Sequence, residues 1–245
     1  MKDALKDILH DIVQHTHNLG VIDLIKIVGN DQDTLITALG TERSVVLDAR
    51  FHNPVVDFIG TFGMPNLSKL NIILNIPEYK EEAVISVSRQ NNEPSGIDFA
   101  NKVGDFKNNY RFMDSKTANS KVPNVSLKTN LVWDVEVEPS VASIQRLKFQ
   151  SQAHNDELVF VAQANNDKLE FSFGTASTHA GNFVFAQGVS GKLAPNRAWP
   201  VAAFLSILSL PGDKMLRFSD RQGIAEITVD SGIAMYNYKI PALTK

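Results

Sequence analysis

The chain has no cysteine among its 245 residues. Disulfide frameworks, thiolate metal sites and cysteine nucleophiles are thereby excluded. Strong charge of either sign is also missing: 24 Lys and Arg against 27 Asp and Glu leave a formal net charge of -3. That excludes the strongly basic profile of a tight, general nucleic-acid binder and leaves room for a local basic stripe. No apolar run approaches the ~18 residues of a membrane span. The opening residues mix acids into an apolar pattern, so no membrane contact and no secretory leader are expected. Catalytic constellations are wanting as well. Gly60-Thr-Phe-Gly63 lacks the Gly-Lys-Ser/Thr ending of a phosphate loop. Ser177, His179 and Asp220 have no nucleophile elbow. His10, His15 and His17 form the one histidine cluster, but only His10 and His17 share a helical face, and zinc wants at least three converging ligands. Exposed helix histidines are the expectation. Asp31 and Asp33 read as turn residues. No catalytic residue, metal or cofactor is expected.

What is present is the material for a packed core, with 43% hydrophobic residues. Residues 3–18 place Leu5, Ile8, Leu9, Ile12 and Thr16 on one helical face, with Lys6, His10, Gln14 and His17 on the other. Strand patterns follow over 21–28, 34–39, 45–51 and 54–62. Pro65 opens a second, apolar helix, and 83–89, 96–102 and 110–113 read as strands. Residues 115–130 are rich in Lys, Ser, Asn and Thr and show little periodicity, which reads as a linker. The second half restarts with alternation over 131–138. A helix follows Pro139-Ser140, then strands over 158–163, 169–173 and 182–187. A Pro200 helix and strands over 215–219, 225–230 and 233–238 complete it.

The two halves therefore repeat one order: helix, strands, helix, strands. The second half has an extra strand before its first helix. Expected boundaries are 1–113 for the first domain, 114–130 for a connector and 131–245 for the second domain. Each half has helices for one face of a curved antiparallel sheet, an α+β architecture. End strands of such sheets are open edges, and head-to-tail edge pairing between copies closes into a ring where the rotation allows.

The helix faces carry the functional argument. On the Pro200 helix, Val201, Phe204, Ile207 and Leu208 face the sheet, leaving Ala202, Ser206 and Ser209 outside. On the helix from Val141, Val141, Ile144 and Leu147 face in, while Gln145, Arg146 and Gln150 face out. Lys148 lies at the border, and Phe149 falls outside without an evident reason. Ser68, Lys69 and Asn75 face out on the Pro65 helix. Such faces are polar with scattered cations, as non-specific duplex contact requires. An ordinary solvated face is the bland alternative.

Several dispersed stretches resemble a known family. They are Pro-Val-Ala-Ala-Phe-Leu-Ser-Ile-Leu-Ser-Leu-Pro-Gly-Asp-Lys from Pro200, Val-Ala-Ser-Ile-Gln-Arg-Leu-Lys from Val141, Asp-Phe-Ile-Gly-Thr-Phe-Gly-Met-Pro-Asn-Leu from Asp57, and the ending Ile-Thr-Val-Asp-Ser-Gly-Ile-Ala-Met-Tyr-Asn-Tyr. Together they look like the DNA polymerase sliding clamps of T-even-type myoviruses and their cyanophage relatives, over essentially the whole chain. The resemblance implies two PCNA-like domains per chain and a closed ring homotrimer with helices lining the hole. It implies a tether for the phage replicative DNA polymerase, opened by a clamp loader complex, encircling duplex DNA in the cytoplasm of the infected bacterial host. It also implies coactivation of late transcription with sigma and coactivator proteins.

Carried onto this chain, duplex contact falls to Lys6, His10, Gln14, His17, Lys69, Gln145, Arg146, Lys148 and Ser206. The subunit contact falls to Asn109, Tyr110, Arg111, Phe112 and Met113 against Asn182, Phe183, Val184, Phe185 and Ala186. Partner peptides fall to an apolar pocket at Leu210, Pro211, Tyr236, Tyr238, Ile240 and Pro241. Two departures stand out: the first half lacks the opening strand, and its first helix is acidic for a channel face. The alternative class is a β-rich virion structural protein. A single-strand binder is a third, since Phe171, Phe173, Phe183 and Phe185 alternate, but few cations interleave with them.

Overall fold

The computed structural model describes residues 4–123, 131–175 and 179–243. Residues 1–126 with 231–236 form one unit, and 127–230 with 237–245 form another. The first unit runs α1 (Ala4–His15), β1 (Leu24–Gly29), β2 (Thr34–Leu39), β3 (Val46–Phe51), β4 (Gly60–Pro65), α2 (Leu67–Leu74), β5 (Val84–Gln90), β6 (Glu93–Ala100), β7 (Lys107–Arg111) and α3 (Ser115–Lys121). The second runs β8 (Val135–Val137), α4 (Val141–Ala153), β9 (Val159–Asn165), β10 (Lys168–Phe173), β11 (Gly181–Gln187), β12 (Ala198–Pro200), α5 (Val201–Leu208), β13 (Asp213–Ser219), β14 (Ile224–Asp230) and β15 (Ala234–Pro241). The opening residues of β15 group with the first unit.

Both units use one topology. In the first, β4 returns beside β1 to give the order β4-β1-β2-β3, and in the second β12 returns beside β9 to give β11-β10-β9-β12. Each returning strand feeds a helix, and three further antiparallel strands follow. They are β5-β6-β7 in the first unit and β13-β14-β15 in the second, where β8 adds to β13. The extra strand of the second half and the shorter sheet of the first are therefore as the sequence suggests. The β5–β6 and β9–β10 hairpins turn on Asn91-Asn92 and Asn166-Asp167, all four with positive φ. Asn and Asp tolerate the left-handed region that tight primed turns demand. In β11 the opening glycine is required, because a Cβ on Gly181 would stand 2.4 Å from His154 Nε2.

Alternation explains the layers. β9, β10 and β15 each bury every second residue, as sheets packed on one face do. Phe160, Phe171, Phe173, Phe204, Phe218 and Trp199 are all at most 1% exposed. Phe171 lies 4.5 Å from Phe160 and 4.4 Å from Phe185 between ring centroids. Each such side chain contributes about 1.5–3 kcal/mol on burial. The alternating phenylalanines are thus core and not a stacking platform for bases.

Three expectations are corrected. The linker is helical over Ser115–Lys121, capped by Asp114, whose side chain accepts from Thr117 N; residues 124–130 lie outside the described residues. Val141 is 78% exposed, because only Leu147 of α4 is buried. His15 is not on the surface. It is 1% exposed, its Nδ1 lies 3.1 Å from Asp11 Oδ1, and its ring stacks 4.6 Å from Tyr236. The Tyr236 hydroxyl donates to Asp11 Oδ2 at 2.7 Å.

Candidate nucleic-acid interface

Each unit pairs two helices: α1 packs on α2, and α4 on α5. In the first unit the buried stripe of α1, with Leu9 and Ile12 fully covered, turns Gln14 and Asp7 to solvent. Lys6 is less available than its place on the polar face suggests. Its Nζ donates to Tyr79 O at 2.7 Å and to Lys80 O at 2.8 Å. Burial first, and then the neighbouring Lys6, hold the His10 imidazole below its ordinary 6.5 against the opposing pull of Asp7. His10 therefore carries less positive charge near neutral pH than an ordinary imidazole would. His17 is half-buried in the turn after α1, and Lys69 is exposed on α2. The exposed Lys80, beyond α2, is a cation the sequence reading passed over. Only its proximity to Lys6 brings it into this group.

In the second unit Ser140 caps α4, accepting from Ser143 N at 3.0 Å. Gln145 and Lys148 are exposed. Arg146 turns away to β11: its Nη1 donates to Val184 O at 3.1 Å and its Cζ lies 5.6 Å from the centre of the Phe183 ring. On α5, Val201, Phe204, Ile207 and Leu208 are buried as expected. Ser206 is half-buried and donates to Ala203 O at 3.1 Å, so the outer stripe of α5 is small and uncharged. Of the expected duplex contacts, Lys69 and Lys148 remain as exposed cations whose side chains make no hydrogen bond or ion pair among the described residues.

The strands expected to join copies both lie at sheet edges. Among the described residues β7 pairs with β6 alone and β11 with β10 alone. The available groups there are backbone, because Tyr110, Phe183 and Phe185 are buried. Asn109 and Arg111 are exposed on β7, and Asn182 on β11. Just after β7, two members of the expected contact are partly committed. Phe112 N donates to Ser95 O at 3.0 Å, and Met113 exchanges both backbone hydrogen bonds with Gly63, at 2.8 and 2.9 Å. Met113 thus leaves the edge and joins β4. On β11, Ser143 Oγ donates to Phe185 O at 2.6 Å, so α4 holds two successive carbonyls of that strand.

The expected peptide pocket is corrected more fully. Tyr236, Tyr238 and Ile240 are each 0% exposed, and Leu210 is 7% exposed. They belong to the inward row of β15 and to the turn after α5, leaving an incoming peptide no surface on the tyrosines or Ile240. Pro211 and Pro241 are exposed. Among the described residues no three His, Cys, Asp or Glu side chains converge on a metal position, and no helix is long and apolar enough to cross a membrane.

No family model and no curated protein matches the chain. Solved structures do. The chain is similar to PCNA from Thermococcus kodakaraensis, at 13% identity and a TM-score of 0.71, covering 96% of this chain and 97% of that one. It is similar to A. fulgidus PCNA bound to the C-terminal region of FEN-1, at 10% identity and a TM-score of 0.69, covering 100% and 96%. Proliferating cellular nuclear antigen from Entamoeba histolytica is a third, at 10% identity and a TM-score of 0.68, covering 98% and 94%. The fold is PCNA-like across the whole chain.

Proposed function

We propose that the chain is a sliding clamp: a non-enzymatic ring of three copies that encircles duplex DNA and tethers a replicative polymerase. The observation that carries this reading is one topology used twice in a chain that matches PCNA structures from end to end. Two different free edges on one chain support a head-to-tail contact, which closes only as a ring. In this reading β7 of each copy adds to β11 of the next, and the four helices α1, α2, α4 and α5 of each copy face the duplex. Few exposed cations on those helices suit the task. Retention is topological, and dense phosphate contacts would slow movement.

The finer assignment follows the sequence resemblance: a phage clamp, opened by a clamp loader, serving the phage polymerase and late transcription inside the infected bacterium. Mass and topology test the reading. The expected particle has three times the 27.0 kDa of one chain. Loaded on nicked circular DNA, it should stay through gel filtration and be lost when the circle is cut. A monomer or a large shell-like assembly would overturn the clamp.

A further inference from the structure

The segment that opens the connector is held down by a buried lysine. Lys26, in the middle of β1, is 1% exposed. Its Nζ donates to Val122 O at 2.7 Å and to Asn119 Oδ1 at 3.2 Å. Those acceptors sit on the last turn and C-cap of α3. A cation suits that end, where unpaired carbonyls gather. Burial lowers the Lys26 ammonium below its ordinary 10.5.

The rest of the seat is thin. A seven-residue helix does not persist in water by itself. Within α3 only Ala118 is buried, followed by Val122 at the cap. Ala118 rests on β4 at Gly63, where an added Cβ would come 3.2 Å from the Ala118 Cβ. Across the sheet, Lys26 registers with Gly63 on one side and Thr37 on the other. The alternate residues of the same strands, Ile25, Ile27, Ile36, Phe62 and Met64, are apolar and 0% exposed. One face of this sheet is therefore built to stay dry. The residues shown against α3 are Gly63 and Lys26, which water can cover at little cost when α3 leaves.

We propose that Lys26 is the latch of a detachable α3: the helix docks on β1 and β4 through it, and on release residues 115–122 leave the sheet as an extended segment. Released, residues 115–122 span at most about 27 Å at roughly 3.4 Å per residue. The latch does not depend on the clamp reading.

Hydrogen exchange and limited trypsin digestion test it on the full chain, which carries cleavable Lys116 and Lys121 in α3. Two variants attack opposite sides of the seat: Lys26→Met removes the donor while filling its volume, and Ala118→Asp sets a charge against Gly63. Each should speed α3 amide exchange and cleavage after Lys116 and Lys121 by about tenfold or more, as loss of hydrogen bonds from a charged donor implies. Amides of Ile25, Ile27 and Ile36 should keep their protection. Unchanged α3 exchange in Lys26→Met would overturn the latch. So would loss of β1 and β2 protection together with α3 in both variants, since α3 would then be an inseparable part of the sheet.

Discussion

Replacing Phe149 by glutamate should weaken assembly of the chain while leaving each copy folded. Phe149 is 62% exposed on α4, and Ile72 is 67% exposed on α2. Helix α4 packs beside β11, and α2 packs beside β7. If β7 of one copy adds to β11 of the next with the helices on one side, those two apolar side chains flank the joined strands. Full burial of side chains of this kind contributes about 1.5–3 kcal/mol, so covering the exposed share contributes roughly 1–2 kcal/mol for each. Glutamate forfeits that and brings a charge into an apolar contact. A loss of at least about 1.4 kcal/mol per contact is a tenfold weaker dissociation constant. Light scattering over a dilution series reads it directly: the concentration at which the assembly falls apart should rise at least tenfold. Absence of cysteine makes a second readout clean. Ile72→Cys and Phe149→Cys chains, mixed and oxidised, should form a disulfide-linked pair that neither forms alone. Assembly at the wild-type concentration in Phe149→Glu, together with no cross-link, would refute the reasoning even if the chain remains a trimer.

Three further outcomes are expected. Lys69→Glu with Lys148→Glu should shorten retention on circular DNA at low salt without changing particle mass, whereas Arg146→Glu should disturb assembly first, because its guanidinium holds the Val184 carbonyl of β11; gel filtration with labelled DNA separates the two. Tyr110 is buried and donates to Pro65 O, and burial, aided by Asp23, raises its pKa above the ordinary 10.0. Its share of stability is therefore intact below about pH 10 and declines as the unfolded chain ionises above it, so urea midpoints of Tyr110→Phe should fall less steeply with alkaline pH than those of the wild type. Phe204, 0% exposed and 4.9 Å from Phe160 between ring centroids, should cost about 3–5 kcal/mol on truncation to alanine, read as a lower denaturation midpoint for the second unit.

Much of the fold was legible because periodicity is local. The buried rows of α5 and of β9 and β10 follow directly from spacing, and so does the repeat. Failures came where one side chain's environment is set from far along the chain. Tyr236 and Tyr238 alternate as any half-buried strand would. Alternation could not say that Asp11, 225 residues away, receives the Tyr236 hydroxyl. Lys6 and Arg146 look like free surface cations in a helical wheel, yet each donates to backbone carbonyls of a separate element. The connector looked shapeless because α3 has almost no apolar face of its own; its seat is on β1 and β4.

By itself, the amino-acid sequence determined the repeat, the α+β class, the sheet-facing row of α5 and the absence of thiol chemistry. These depend on residue type and short-range spacing, which a single chain displays. Tertiary structure alone decided which cations stay exposed, that β7 and β11 end their sheets, that His15 is buried, and that Lys26 meets α3. Those depend on what lies opposite each side chain, and opposition is created only when distant segments pack.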